Sequence, residues 1–370
     1  MNRKRIIISI VVLAALGVLV YMQFRQWRHF DWDVFWDQTE DTRKAYLLSA
    51  VGLIYVTYLL RALRWKVFLR PVCQARARSL ISPTIIGFAG LALLGRPGEF
   101  ARPYLIARRQ RLSISSQIAV WAVERIFDIG SFAVLMSIEI FNMDLSEYPL
   151  LNAYRHDFHV FHAFTIQATG RILVDFAGII LVILVLLLAG SAYVVRRNAN
   201  GVARWTHRRF AATAPKLAHF AEEKVFAFSE GLNTIHDLGS FAQLCALSLL
   251  IWLLIALTYR QVMHAYGSPL DELTVWNVLL IIGLSMIGSV VQLPAIGGGM
   301  QIATIGGINY LFDVPRETAL SCGIMLWLIS FMMVIPTGLI LAHREHVSLT
   351  KLSRESAPER VAEIEGSPGN

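Results

Sequence analysis

Apolar residues in this chain are gathered into long blocks, and charged residues are confined to the gaps between them. Ile6–Phe24, Ala45–Leu60, Ser79–Gly95, Leu238–Tyr259 and Thr318–Ala342 hold no charged residue, and Ile172–Val195 holds only Asp175. Leu273–Phe312 is one uncharged run, long enough for two passes or for a pass and a re-entrant hairpin. A spanning helix needs roughly 20 mainly apolar residues, so the blocks predict about seven full spans and one or two shorter embedded segments. The fold class is all-α, a polytopic integral membrane protein with about 7–9 membrane-embedded helices. The first block is longer than the apolar region of a secretory signal and runs into Tyr21-Met22-Gln23-Phe24 rather than a small-residue cleavage site. It is expected to be an uncleaved anchor. The transmembrane domain is expected over residues 1–342, followed by a polar tail over 343–370.

Two embedded segments break helical rules. Ser79–Gly95 contains Pro83, Gly87 and Gly90 and leads into Arg96-Pro97-Gly98-Glu99, with bases on both flanks. A full crossing there places Arg102, Arg108, Arg109 and Arg111 outside, against the rule that basic loops stay cytoplasmic. The segment therefore predicts a re-entrant hairpin that enters and leaves on the cytoplasmic side. The second break is Gln292-Leu293-Pro294-Ala295-Ile296-Gly297-Gly298-Gly299. A proline followed by three glycines does not hold a regular helix cheaply. Irregular backbone at membrane depth is tolerated where protein buries it or where it lines a wet cavity. Both breaks point to a polar interior.

Composition agrees with the pattern. Only 16% of the 370 residues are charged and mean hydropathy is +0.53, whereas soluble domains carry about 25% charged residues. The net charge of +8 matters through its distribution. Arg3, Lys4 and Arg5, then Arg61, Arg64, Lys66, Arg70, Arg76 and Arg78, then Arg196, Arg197, Arg204, Arg208, Arg209 and Lys216 form basic stretches. Phe141–Gly170 instead holds three acids against one base. The expected topology puts the N-terminus, Arg61–Arg78, Arg96–Arg111, Arg196–Lys216 and the C-terminal tail in the cytoplasm and Phe141–Gly170 outside, in a plasma (inner) membrane. Beside membrane spans such basic patches set topology and touch anionic headgroups, so no nucleic acid is expected as partner. Within the insertion over residues 196–238, Leu217, Phe220, Val225, Phe228, Leu232 and Ile235 recur at helical spacing. This reads as an amphipathic helix on the membrane or one packed on its neighbours.

The most informative constellation is Arg96, Glu99 and Arg102 with Glu124, Arg125 and Asp128. Glu99 and Arg102 are three apart and Glu124 and Asp128 four apart, so each pair shares a helix face. Charges inside an apolar stretch face the bundle interior and pair. These six sum to zero, so a closed ion-pair network is feasible. One reading is that the network only fixes helix packing. The other is that its arginines also meet a lipid phosphate, which a guanidinium matches with two bonds, while the glycines Gly297, Gly298 and Gly299 present free N–H groups to the same anion. His156, Asp157, His159 and His162 have spacing that a metal can use, but nothing orients them and no metal site is expected. The three cysteines form no disulfide or zinc pattern. No P-loop, dinucleotide fingerprint or nucleophile elbow is present, and no cofactor is expected. Trp27, Trp32 and Trp36 read as interfacial anchors.

The run Gly95-Arg96-Pro97-Gly98-Glu99-Phe100-Ala101-Arg102, followed by Glu124-Arg125-Ile126-Phe127-Asp128, resembles the paired R-x-G-E-x-x-R and E-R-x-x-D signature of the lysylphosphatidylglycerol synthase transmembrane-region family, also called flippase-like domain proteins. Arg61-Ala62-Leu63-Arg64-Trp65 and the break from Pro294 to Gly299 are similar too, and the likeness covers roughly residues 5–342. Family members often carry a glutamate just after the late glycines, where Gln301 stands here. That departure removes a charge that a proton- or cation-linked role would use. The full synthases continue into a cytosolic aminoacyltransferase domain. This chain stops after its last span and is expected not to make lysyl-lipid itself. The resemblance implies lipid translocation or lipid-linked export, with a membrane phospholipid, anionic in character, as partner. The alternative is a membrane-embedded transferase acting on a lipid-linked sugar or headgroup, with Glu99, Glu124 or Asp128 as base. A scaffold for a partner enzyme is a third reading, and the sequence does not show whether the chain forms homo-oligomers.

Overall fold

The computed structural model describes residues 32–148, 153, 155–160, 164–211, 238–289, 292–293 and 297–345. The predicted first span, Trp27, the amphipathic stretch over 217–235, His162, Pro294–Ile296 of the late break and residues 346–370 of the polar tail lie outside the described residues. A short helix α1 (Trp32–Glu40) precedes α2 (Lys44–Leu69), α3 (Ala77–Leu94), α4 (Ala101–Gln110) and α5 (Ile114–Asn142). After a two-stranded ribbon, β1 (Arg155–Val160) against β2 (Phe164–Thr169), come α6 (Gly170–Ala211) and α7 (Leu238–Ala265). Then follow α8 (Val275–Gly288), a minimal pair of β3 (Gln292–Leu293) with β4 (Gly297–Gly298), α9 (Gly299–Leu311), α10 (Arg316–Trp327) and α11 (Val334–Arg344). The chain is thus an all-α polytopic membrane protein, with strands only in two short ribbons among the described residues. Five of these segments are long and apolar enough to cross a membrane: α2, α3, the first half of α6, α7, and α10 with α11.

Local sequence explains where these helices start and stop. The Ser113 hydroxyl accepts the Ser116 amide at 3.2 Å and caps α5. Thr274 and Asn277 cap α8 reciprocally, with the Asn277 amide on the Thr274 hydroxyl at 3.2 Å and the Thr274 amide on the Asn277 side chain at 2.9 Å. Inside α6 the helix kinks at Asn198, whose side-chain Oδ1 then caps the next turn by accepting the Gly201 amide at 2.9 Å. The apolar half of α6 is the outermost wall, with Ile172, Phe176, Ile183, Leu186 and Leu187 each about half or more exposed. Lipid is the solvent that accepts such a face.

Two helical hairpins enter the bundle from opposite faces. In the first, α3 descends and α4 returns beside it, so that the Gln110 side chain donates to the Ser79 hydroxyl at 3.2 Å. The turn is the 3₁₀ segment Arg96–Phe100, entered through Gly95 at φ +69°, a conformation that favours glycine. Gly98 packs so closely on the backbone of Gly90 that an added Cβ would overlap it, and a Cβ on Gly87 would overlap the Cβ of Arg102. The predicted hairpin is therefore present, with one correction. Its return limb is Arg96–Gln110, and Arg96–Phe100 lies at the inner tip, about 27 Å along α3 from Ala77 at 1.5 Å per residue. Only Arg108–Arg111 come back to the face that carries Arg70, Arg76 and Arg78. That face, here the basic face, also receives the end of α11, where Arg109 pairs with Glu345 at 2.8 Å.

The second hairpin is α8 and α9, which start and finish at the opposite face. Asn277 donates to the Tyr148 hydroxyl at 2.7 Å, and Phe312 packs on the Tyr148 ring at 5.5 Å. Deeper, the Ser285 and Thr304 hydroxyls meet at 2.5 Å. At the tip a Cβ on Gly288 would overlap the carbonyl of Gly299. Between the limbs of α10 and α11 a π-turn, Leu328–Met332, replaces regular helix and turns Ser330 and Phe331 toward the middle of the bundle.

Candidate functional site

The polar centre is assembled by α2, α4, α5 and α7. Spacing of three on α2 puts Arg61 and Arg64 on one face, and both are buried. This corrects the assignment of Arg61 and Arg64 to a basic loop: α2 continues to Leu69 because Trp65, Val67, Phe68 and Leu69 supply a further buried apolar turn. Asp128 sits about halfway along α5, and Glu124 lies one turn before it.

Arg64 is the hub. Its Nη1 donates to Asp128 Oδ1 at 2.6 Å and to Ser248 Oγ at 2.8 Å, and its Nη2 donates to Glu124 Oε1 at 2.5 Å. Arg102 forks onto the other side of Glu124, with Nη1 at 3.1 Å from Oε1 and Nη2 on Oε2. The Arg102 guanidinium also lies 4.4 Å over the Trp65 ring, and Trp65 is held by its Nε1–H donated to Gln117 at 3.1 Å. Arg125 reaches Asp128 at 2.8 Å and Glu124 at 3.6 Å. Arg61 approaches Asp128 only to 3.8 Å and rests 5.0 Å over Phe88.

The sequence placed Glu124, Arg125, Asp128 and Arg102 together, and the structure joins them. Glu99 is half-buried beside Arg102 and Arg125 in a small pocket of about 20 Å³. The Arg96 side chain lies outside the described residues. The feasible neutral network of six is replaced by another composition: four guanidiniums surround two carboxylates, leaving two positive charges over among the described side chains. Even with Glu99 counted, one remains. Sequence reasoning missed Arg61, Arg64 and Ser248 as members. The signal for the first two was Arg-x-x-Arg inside an apolar run that resumes at Trp65. Ser248 carried no signal.

Gly298 is buried at φ +89° and opens α9 with Gly299. These glycines shape the second tip, and its neighbours Ser289 and Met300 border a cavity of about 250 Å³ whose wall also includes Arg61. Gln301 is buried and its Nε2 has no hydrogen-bond partner. The side chains of His156, Asp157 and His159 lie outside what is described; among the described residues no three acids, histidines or cysteines cluster.

Chemically, Glu124 and Asp128 direct their oxygens at guanidinium N–H groups and hold three helices together. Capacity for a further anion lies in the surplus positive charge. Comparison with curated proteins and with solved structures finds no match. The family model described as the lysylphosphatidylglycerol synthase TM region matches residues 6–338, nearly the whole chain and both charged motifs. On that match the chain belongs to the lysylphosphatidylglycerol synthase transmembrane-region family.

Proposed function

We propose that this membrane protein translocates a phospholipid or other anionic lipid across a plasma membrane, with the basic face and the N-terminus in the cytoplasm. The observation that carries the reading is the surplus of positive charge in a largely buried centre beside the first hairpin, where Arg61, Arg64 and Arg102 are buried and Arg125 is partly exposed. A structural network needs charges that cancel. A centre with cations left over is costly unless an anion joins it. Two hairpins that enter from opposite faces give a headgroup irregular, polar backbone along its way, where an unbroken bundle offers only apolar helix surface. The family match supports a lipid-related role. The basic face carries Arg70, Arg76, Arg78, Arg108, Arg109 and Arg111, the asymmetry expected of a cytoplasmic side.

The test is reconstitution in proteoliposomes with labelled lipids, reading headgroup accessibility with and without an imposed proton gradient. Exchange of an anionic lipid faster than in empty liposomes is expected. Exchange no faster than in empty liposomes under every gradient, across anionic and zwitterionic lipids, would overturn the reading. Turnover of a lipid-linked donor by the purified protein would replace it with transfer chemistry.

A further inference from the structure

We propose that the π-turn Leu328–Met332 is the hinge on which the second hairpin swings against the first, and that the Tyr259 hydroxyl is the latch that holds it shut. The transport arm of the test rests on the translocation reading. The motion itself is measurable whether or not lipid moves.

The sequence builds the break between α10 and α11. Pro336 has no N–H to give to the carbonyl of Met332, four residues back, and its ring crowds that carbonyl. Just upstream the helix widens, and the Met333 amide donates to the Leu328 carbonyl, five residues back, at 2.8 Å. A π-turn beside a proline is where a helix bends.

The limbs on either side of this turn are docked on different bodies. Before it, α10 packs on α9 of the second hairpin, where a Cβ on Gly323 would press into the Ile305 side chain. After it, α11 packs on α3 of the first, where a Cβ on Gly338 would overlap that of Ala89. Tyr55 of α2 fastens the same limb, since its hydroxyl donates to the Met333 carbonyl at 3.0 Å and meets the Thr337 hydroxyl at 2.6 Å. The buried ion pairs join α2, α4 and α5, and Arg64 adds α7 through Ser248. One body thus comprises the first hairpin with α2, α5, α7 and α11, and the other comprises α8, α9 and α10. The second body is moored at its outer end, Asn277 to Tyr148 at 2.7 Å and Ser321 to Tyr266 at 3.0 Å. A swing therefore opens at the inner tip, beside the 250 Å³ cavity.

Tyr259 of α7 bridges the bodies at that tip. Its buried hydroxyl bonds with Ser330 in the π-turn and with Ser285 on α8, and all three residues line the cavity. One side chain on the fixed body thus holds both the hinge and the moving hairpin. Its loss orphans neither serine, because Ser330 donates to the Leu326 carbonyl at 2.5 Å and Ser285 keeps Thr304. Neutral hydroxyl bonds are weak enough to release in each cycle, and the ion pairs of the first body are not.

The experiment measures distances between spin labels by pulsed electron paramagnetic resonance. It uses the full chain in lipid nanodiscs with its three cysteines replaced by alanine. The reporting pair is Ile302 on α9 with Ile340 on α11, and the control pair is Val56 on α2 with Ile340, all at exposed positions. Two distances are expected for the reporting pair and one for the control. Tyr259→Phe removes only the hydroxyl and should raise the longer-distance population over the shorter by about three- to tenfold, the scale of a neutral hydrogen bond. Pro336→Ala returns an N–H to the Met332 carbonyl and should collapse the reporting pair onto its shorter distance. The control pair should not respond to either change. A single reporting distance in all three proteins overturns the hinge, and equal shifts in both pairs overturn it as general loosening. In proteoliposomes Pro336→Ala should slow headgroup exchange. Distances that respond as expected without transport in any variant would keep the hinge and remove the translocase. Exchange at the parental rate by Pro336→Ala held at the shorter distance would keep the translocase and overturn the hinge as its moving part.

Discussion

The two hairpins solve the same problem with different chemistry. Each turns inside the bundle, and each lets its limbs approach through glycine, Gly98 on Gly90 in one and Gly288 on Gly299 in the other. The first is then clamped by charge: Arg102 on α4 is forked onto Glu124, which Arg64 holds from α2. The second carries no charge on either limb and, among the described residues, its limbs are tied by one hydroxyl pair, Ser285 with Thr304. Breaking a buried ion pair costs several times what breaking a neutral hydrogen bond costs. The cavity between the hairpins thus has one rigid, positively charged wall and one wall that yields more readily. If one side of the centre moves during a transport cycle, this comparison assigns the motion to α8 and α9.

The largest effect should follow from Glu124→Ala. It removes both hydrogen bonds of Arg102 and one of the three of Arg64, leaving a buried guanidinium without its carboxylate at a cost of roughly 3–5 kcal/mol. Thermal melting in detergent, or yield of folded protein, should fall sharply. Asp128→Ala should act in the same direction through Arg64 and Arg125. A variant as stable as the parent would mean that the centre is hydrated, and the contrast between the hairpins would collapse.

Matched glycine substitutions sharpen the contrast. Gly98→Ala and Gly288→Ala each push a methyl group into backbone, and overpacking of this kind costs roughly 1–3 kcal/mol. The stability losses should be similar, but the consequences should differ. Gly98→Ala displaces the turn that leads into Arg102 and should weaken lipid binding. Gly288→Ala should leave the ion pairs intact and alter transport rate ahead of affinity. Identical functional profiles would break the comparison. A smaller loss, about 1 kcal/mol, is expected for Thr304→Val, which deletes the single hydroxyl tie. Hydrogen exchange should report faster opening at Gly299–Leu311 in that variant and no change in α4.

The difference between the hairpins was only partly legible in the sequence. Both breaks were visible because proline and glycine interrupt apolar runs at Pro83–Gly98 and Pro294–Gly299. Glu124 and Asp128 declared themselves as a buried pair because helical spacing puts them on one face of an apolar stretch. Their partners did not. Arg61 and Arg64 stand next to Lys66 and Arg70, so a charge count merges them with the loop, and only the apolar residues from Trp65 to Leu69 return them to the helix. That Arg102 is occupied by Glu124 while Arg61 faces a cavity depends on how α2 rotates against α5. Rotation of one helix against another is set by packing across the bundle, and no local pattern encodes it.

The smallest effect is expected at the outer end of the first hairpin, where Arg109 meets Glu345. Here α4 returns to the basic face and α11 ends, so the pair ties the return limb to the last described helix. Its geometry is good at 2.8 Å, but the side chains are 39% and 29% exposed. Exposed pairs contribute about 0–1 kcal/mol, because water competes for both ions and salt screens them. Glu345→Gln should therefore shift melting by an amount close to the error of the measurement, and less still in high salt. Lipid binding should not change. The contrast with Glu124 is the point of the experiment, since both acids bind an arginine of the same helix, one wholly buried and one near water. A loss from Glu345→Gln approaching that from Glu124→Ala would show that the hairpin is held at its mouth rather than at its tip. The rigid wall would then lie at the basic face instead of beside the cavity.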